Sequence, residues 1–275
     1  LTAAGLLSLP LSGIKAPARL TITVSAPAAG ARNAWKVWVY LPIGDPPPSP
    51  NVAIARALEE ALTGLQQGRR VVLFASRFQR GMSRPGAFTT VFWSPVWFAG
   101  YQQGTMGVLC NPKHPALAGF PTESHSDWQW ADVARQSRPM VLDKLPRDFE
   151  PIVSVIDNFV RNQRLGLLLE ARVGEGRLLL TSVNLWDQME KRPAARAMLK
   201  SLLDYAGSDA FAPTQALTEA DLRTFLTDNP DSASARGAKV LYVDSEEPGE
   251  NPAANAIDGD ESTIWHTEYQ ARQPG

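Results

Sequence analysis

The chain has 275 residues, 44% hydrophobic and 20% charged, so it can bury a sizeable core and is not a disordered polymer. Its 27 Lys and Arg balance 28 Asp and Glu, a formal charge of −1, and no basic field is left to draw in a nucleic acid. One cysteine excludes an internal disulfide and a cysteine-built zinc site, and no apolar run approaches the roughly 20 residues that span a bilayer.

The chain opens on Leu1 without a basic segment ahead of an apolar one, which reads as a processed start or an internal piece of something longer. Residues 1–42 hold two β-rich stretches, "ARLTITVSAP" and "NAWKVWVYLP". Leu20, Ile22 and Val24 alternate with Thr21, Thr23 and Ser25, the period of a half-buried strand. Two strands do not hold themselves together in water, so this part is expected to be the remnant of a β-sandwich. Residues 43–50, with "GDPPPSP" at their heart, form a stiff linker.

Residues 51–207 alternate helix and strand patterns. "NVAIARALEEALTGLQQG" is read as one helix, with Ile54, Leu58, Ala61, Leu62 and Leu65 on a single face and Gly68 ending it. "RRVVLFAS" and "TMGVLC" are continuous apolar runs of the kind that parallel strands covered on both faces show. "SDWQWADVARQS" predicts a helix with Ser126 as N-cap, followed by short strands at "PMVLD" and "PIVSVID". "RLGLLLEARVGEGRLLLTSVN" predicts a hairpin turning at Gly174-Glu175-Gly176, and "AARAMLKSLLDYAG" a closing amphipathic helix. The sum is an α/β fold, expected as a three-layer α/β sandwich with the N-terminal β remnant on one side.

Residues 208–236 are read as a linker carrying one short helix, since Thr218 and Asp221 stand at capping-box spacing. Residues 237–275 then offer a strand, "KVLYVDS", and "NPAANAIDGDESTIWHTEY". This unit is too short for a core of its own without staples, and is expected to be loosely ordered.

The stretch "GTMGVLCNPKHPALAGFPTESHSDWQW" sets Cys110, His114, Glu123, His125 and Asp127 close together, which admits a thiol nucleophile with its base, a metal site, or a buried strand end. Pro112 two residues after Cys110, and no glycine following closely, argue against a strained nucleophile elbow. A cysteine ending an apolar strand reads first as a small buried hydrophobe. His114-Pro115 suits a turn in which the imidazole bonds local backbone, and no HxH or HxxxH spacing supports a metal. The aromatic set Phe92, Trp93, Trp97, Phe98, Trp128 and Trp130 is read first as packing against a neighbouring domain. Its other use is a ligand surface, with Trp93, Trp97, Trp128, Trp130, Glu123 and His125 as the candidates. "VGEG" is a turn between strands and not a phosphate loop.

Two resemblances follow from these motifs. "NAIDGDESTIWHTEY" resembles the opening of a discoidin-type (factor 5/8 type C) domain, a galactose-binding-like jelly roll. The resemblance implies a structural Ca²⁺ loop on Asp258, Asp260 and Thr263, with Trp265 packing behind it; a hard cation suits such oxygen donors. "ARNAWKVWVYLP", "TTVFWSPVWF", the Cys110 stretch and "RLGLLLEARVGEGRLLLTSVNL" resemble the C-terminal region of large bacterial glycoside hydrolases of family two, the β-galactosidase-like enzymes. There an α/β domain of glutamine-amidotransferase-like (flavodoxin-like) architecture follows the catalytic barrel and its sandwiches. The resemblance implies a carbohydrate-active parent in the periplasm or outside the cell, and a non-catalytic accessory role for this region, packed on upstream domains. The alternatives are an amidotransferase-like enzyme using Cys110, or a protein-interaction module using the Trp-rich face.

Overall fold

The computed structural model describes residues 8–41, 50–88, 104–228, 237–247, 251–258 and 263–268. The chain first makes a separate hairpin, β1 (Ala18–Ala26) paired antiparallel with β2 (Ala31–Val39). A single 3-10 turn, Pro27–Ala29, reverses it, and Gly30 at φ 60° takes the left-handed position that closes the turn. Leu20 and Ile22 are half-buried between exposed threonines, as the alternation predicts, while Val24 and Trp35 stay exposed.

The body is a seven-stranded mixed sheet with helices on both faces. Its strands are β3 (Val52–Ala55), β4 (Arg70–Phe74), β5 (Gly107–Cys110), β6 (Met140–Val141), β7 (Val153–Ile156), β8 (Leu165–Val173) and β9 (Gly176–Thr181). The order is β3-β4-β9-β8-β7-β5, with β6 also paired to β8. The β3–β4 and β4–β9 pairings are parallel, and the other pairings between these strands are antiparallel.

Side chains alternate across the sheet, so each central strand feeds two cores. On one face Val71 and Leu73 of β4 and Leu178 and Leu180 of β9 meet Leu58, Ala61, Leu62 and Leu65 of α1 (Leu58–Gln66). On the other, Val72 and Leu179 meet Met198, Leu199 and Leu202 of α3 (Pro193–Gly207), with Trp130 and Val133 of α2 (Trp130–Arg135) beside them. Covering on both sides is why these strands read as unbroken apolar runs. Ser201 pins the turn ahead of α2 to α3: its hydroxyl donates to Ala116 O at 2.7 Å and accepts from Gly119 N at 2.9 Å.

Several expectations change. Residues 52–55 are an edge strand and not the first turn of α1; Val-Ala-Ile-Ala fits either period, and the free edge of β4 decides it. The "TMGVLC" run gives β5, which lies antiparallel at the far edge with Leu109 half-exposed. Ser126 does not cap α2; its hydroxyl faces Val108 N at 3.5 Å, and Asp127 Oδ1 takes the Trp128 N–H instead. The hairpin β8–β9 forms as expected on a two-residue turn, with Gly174 at φ 57°.

The stretch 208–228 is no linker. Phe211, Leu217, Leu222, Phe225 and Leu226 are buried in the body, and α4 (Glu219–Arg223) carries the complete Thr218–Asp221 capping box. Asp228 then caps α1, accepting from Leu58 N at 2.5 Å and Glu59 N at 2.7 Å, a service Ala57 cannot perform. "KVLYVDS" forms no strand: no strand lies beside it among the described residues, and Leu241 is 94% exposed. Among the described residues no helix is long and apolar enough to cross a membrane.

Candidate functional site

The Cys110–Trp130 segment lies against the N-terminal hairpin. Glu123 accepts a very short ion-pair bond from Arg19 and a second contact from Lys36 Nζ at 3.4 Å. Lys36 also reaches Asp127 Oδ2 at 3.1 Å. Deeper in, Trp38 Nε1 donates to Pro121 O at 3.0 Å and the Tyr40 hydroxyl donates to Gln129 Oε1 at 2.6 Å. Gln129 Nε2 closes the ring by donating to the same Pro121 carbonyl at 2.8 Å.

The charges respond to this neighbourhood. Arg19 first, then Lys36, hold the Glu123 carboxyl below its ordinary range. For Asp127 burial pushes upward, but the Trp128 N–H and the Lys36 ammonium outweigh it and hold the carboxyl down. The hydrogen bond to Asp127 pushes the Lys36 ammonium up, more than burial lowers it. Burial pushes the Tyr40 phenol up as well.

Cys110 ends β5, half-buried, with Sγ donating to Glu123 O at 3.3 Å. Burial pushes its thiol up to about 11, against a smaller downward pull from the Thr122 hydrogen bond, the reverse of an activated nucleophile. The chain beyond it enters an Asn111 turn, where Oδ1 accepts from Lys113 N at 3.0 Å. His114 Nδ1 accepts from Ala116 N at 3.2 Å, the local backbone bond expected of it, and Nε2 stands 3.7 Å from Glu170 Oε1. A cavity of about 500 Å³ lies beside Cys110, His114 and Glu170. Glu170 is also engaged by the Tyr205 hydroxyl at 2.5 Å.

Of the ligand candidates, Trp130 is 1% exposed, stacks edge-on to Phe120 at 5.0 Å and donates Nε1 to Thr122; it is core and cannot meet a ligand. Trp128 is 80% exposed. His125 bridges Leu109 through its backbone. Trp93 and Trp97, with Phe92 and Phe98, lie outside the described residues, as does Asp260. Asp258 and Thr263 do come together, Thr263 Oγ1 donating to Asp258 Oδ2 at 2.8 Å. Their oxygens suit a hard cation but fall short of the six to eight donors Ca²⁺ takes. Among the described residues no group of three or more His, Cys, Asp or Glu could hold a metal.

A cavity of about 540 Å³ that no motif announced lies at the carboxyl ends of β3, β4 and β9. Arg56 follows β3, Ser76 follows β4, and Ser182 to Asp187 follow β9, with Arg135 and Arg138 closing the side. Ligands of open α/β sheets bind outside the carboxyl ends of the parallel strands, which is the signal that would have found it. Arg56 Cζ sits 4.8 Å over the Trp186 ring, and that ring meets Phe74 edge-on at 5.3 Å. Arg192 fixes the wall: Nε donates to both Asp132 oxygens at 2.9 Å, and Nη1 to the carbonyls of Asn184 at 2.8 Å and Asp187 at 3.1 Å. A shallower hollow of about 420 Å³ adjoins it through Ala87 and Arg135 and is edged by Trp128.

No curated protein matches the chain. Residues 1–41, which contain the hairpin, match the family described as Domain of unknown function (DUF8488). Residues 53–227, more than half of the chain and nearly the whole packed body, match a second family, and the chain belongs to it: Domain of unknown function (DUF8487).

Proposed function

We propose that this chain is a non-catalytic accessory region of a multidomain glycoside hydrolase of the β-galactosidase-like kind, acting outside the cytoplasm. Its body would be a three-layer α/β sandwich of amidotransferase-like descent, and residues 237–275 would lead into a carbohydrate-binding module. One observation carries the reading: the residues that looked most like a reaction centre are spent on a joint. Glu123 and Asp127 tie the body to the hairpin through Arg19 and Lys36. Cys110 holds its proton. Helices on both faces and the parallel β3-β4-β9 unit support the sandwich. Asp258 and Thr263 support a weak Ca²⁺ site, checked by Ca²⁺ titration against Asp258→Ala.

The purified chain is expected to hydrolyse no aryl glycoside and to release no ammonia from glutamine. The second reading, an amidotransferase-like enzyme, draws on Cys110, His114 and Glu170 lining one cavity. Turnover that disappears in Cys110→Ala would replace the first reading with it.

A further inference from the structure

Polar groups that a protein buries are nearly always paired, and each exception asks for an explanation. Two of the exceptions here line the cavity at the carboxyl ends of β3, β4 and β9. Ser182 is 3% exposed and its Oγ has no hydrogen-bond partner. Trp186 Nε1 is likewise buried and unpartnered. Both are donors.

The charges around them point the same way. Among the described residues the Arg56 and Arg135 guanidinium groups line this cavity without a carboxylate partner, and Arg138 spends only Nε, on Ser83 Oγ at 3.1 Å. Among the described residues Asp187 is the one acid on the lining, and its carboxylate takes the Asn184 amide at 2.5 Å. Three cations, one acid and two idle donors make a basin for negative charge. Guanidinium forks match the two oxygens of a carboxylate and are less costly to desolvate than an ammonium.

The basin has a rim of different character. Trp128 stands exposed on the adjoining hollow, which shares Arg135 with the cavity. A flat indole beside a cationic well fits a ring carrying an acid group.

We propose that this cavity binds an acidic saccharide: the carboxylate is held by Arg56, Arg135 and Arg138, its oxygens also accept from Ser182 Oγ and Trp186 Nε1, and the ring lies toward Trp128. The saccharide half rests on the carbohydrate reading above; the anion half rests on the cavity alone. The carboxylate of an acidic sugar and a free inorganic oxyanion share this chemistry, so the test separates them.

The whole 275-residue chain is titrated with galacturonate, galactose and inorganic phosphate, following heat and tryptophan fluorescence. Galacturonate should bind, shifting the tryptophan emission, while galactose should not. Arg56→Met and Arg135→Met, both at exposed positions, should each weaken galacturonate by about 10-fold or more, the usual scale of a charge-assisted hydrogen bond. Ser182→Ala should weaken it several-fold with an unchanged or raised melting temperature, because no protein bond is lost; a structural serine would lower it. Trp128→Ala should weaken galacturonate and leave phosphate binding as it was. Equal binding of galactose and galacturonate would overturn the anion well. Phosphate bound as tightly as galacturonate would overturn the saccharide. No binding of any probe would overturn the site. The turnover assays report on the accessory reading separately, so either can fail while the other stands.

Discussion

The joint around Glu123 and the cavity below Trp186 hold similar side chains and treat them in opposite ways. At the joint each carboxylate has a cation, Trp38 and Tyr40 donate to fixed acceptors, and Gln129 ties the ring together. In the cavity, among the described residues, three lining guanidinium groups have no carboxylate partner and two buried donors stay idle. Satisfied polar groups hold a structure together; unsatisfied ones in a firmly built wall are held ready for something else. A dense run of reactive residue types in the sequence is therefore poor evidence of a site until the partners are known.

The sharpest test of this contrast uses two tryptophans two residues apart. Trp130→Ala empties the packing beneath the joint and should cost about 3–5 kcal/mol, read from urea unfolding. Trp128→Ala should fall within about 0.5 kcal/mol of the parent. Similar losses for both would mean that Trp128 packs as part of the body and is no ligand surface.

The next effect concerns the cavity wall. A methyl group on Gly86 would lie 2.3 Å from Ala134 O, a backbone atom that cannot swing away. Gly86→Ala should cost about 1–3 kcal/mol by overpacking. It should also displace the end of α2, where Arg135 stands, and weaken galacturonate. An unchanged melting temperature would show the wall to be softer than its contacts imply.

Acid should act on the joint and spare the cavity. The folded pKa values of Glu123 and Asp127 lie below their ordinary values, so their contribution is full above the ordinary carboxylate range. It is lost as pH falls through those lowered values. The raised Lys36 value works at the other end, its contribution fading only as pH rises through it. On acidification the outer β1–β2 amides should lose hydrogen-exchange protection before those of β4 and β9, and 1 M salt should mimic acid in part. Trp38 and Tyr40 use neutral bonds that acid does not break. Hairpin protection unchanged both on acidification and in 1 M salt would refute an ionic joint.

The smallest change is chemical. With its thiol pushed up to about 11, Cys110 is about one part in a thousand thiolate at pH 8. Iodoacetamide should modify it slowly, the rate climbing about tenfold per pH unit. Rapid alkylation at pH 7 would reopen the nucleophile.

Local signals in the sequence were legible where one element decides its own shape. The Gly174 turn, the Thr218–Asp221 capping box and the amphipathic run of α3 all form as read. Val52 to Ala55 misled because a short alternating apolar run serves helix and strand equally, and only the waiting edge of β4 chose. Phe211, Leu217 and Phe225 were hidden in a stretch polar enough to pass for a linker, because large apolar residues spaced irregularly carry no period. The place of the cavity could have been read from the carboxyl ends of parallel strands, but not the residues that line it. Arg56, Arg135, Arg138, Ser182 and Trp186 come from three separated stretches; parallel pairing of β3, β4 and β9 aligns the first and last, and the Ser137–Val183 bridge brings Arg135 and Arg138 beside them.

The position of β9 also sets when the fold can close. β3 and β4 lie on one side of it and β8, β7 and β5 on the other, so a chain still lacking residues 176–181 holds two half-sheets with open edges. Leu73 on β4 finds Leu180 on β9 only after the whole β5–β8 region has been synthesised. Closing so long a loop precedes any return from the ladder, which makes this a slow, high-contact-order assembly. Asp228 completes the first turn of α1 later still. Throughout that interval the unpaired side of β4 is the surface that a chaperone would shield and that a second nascent chain would join.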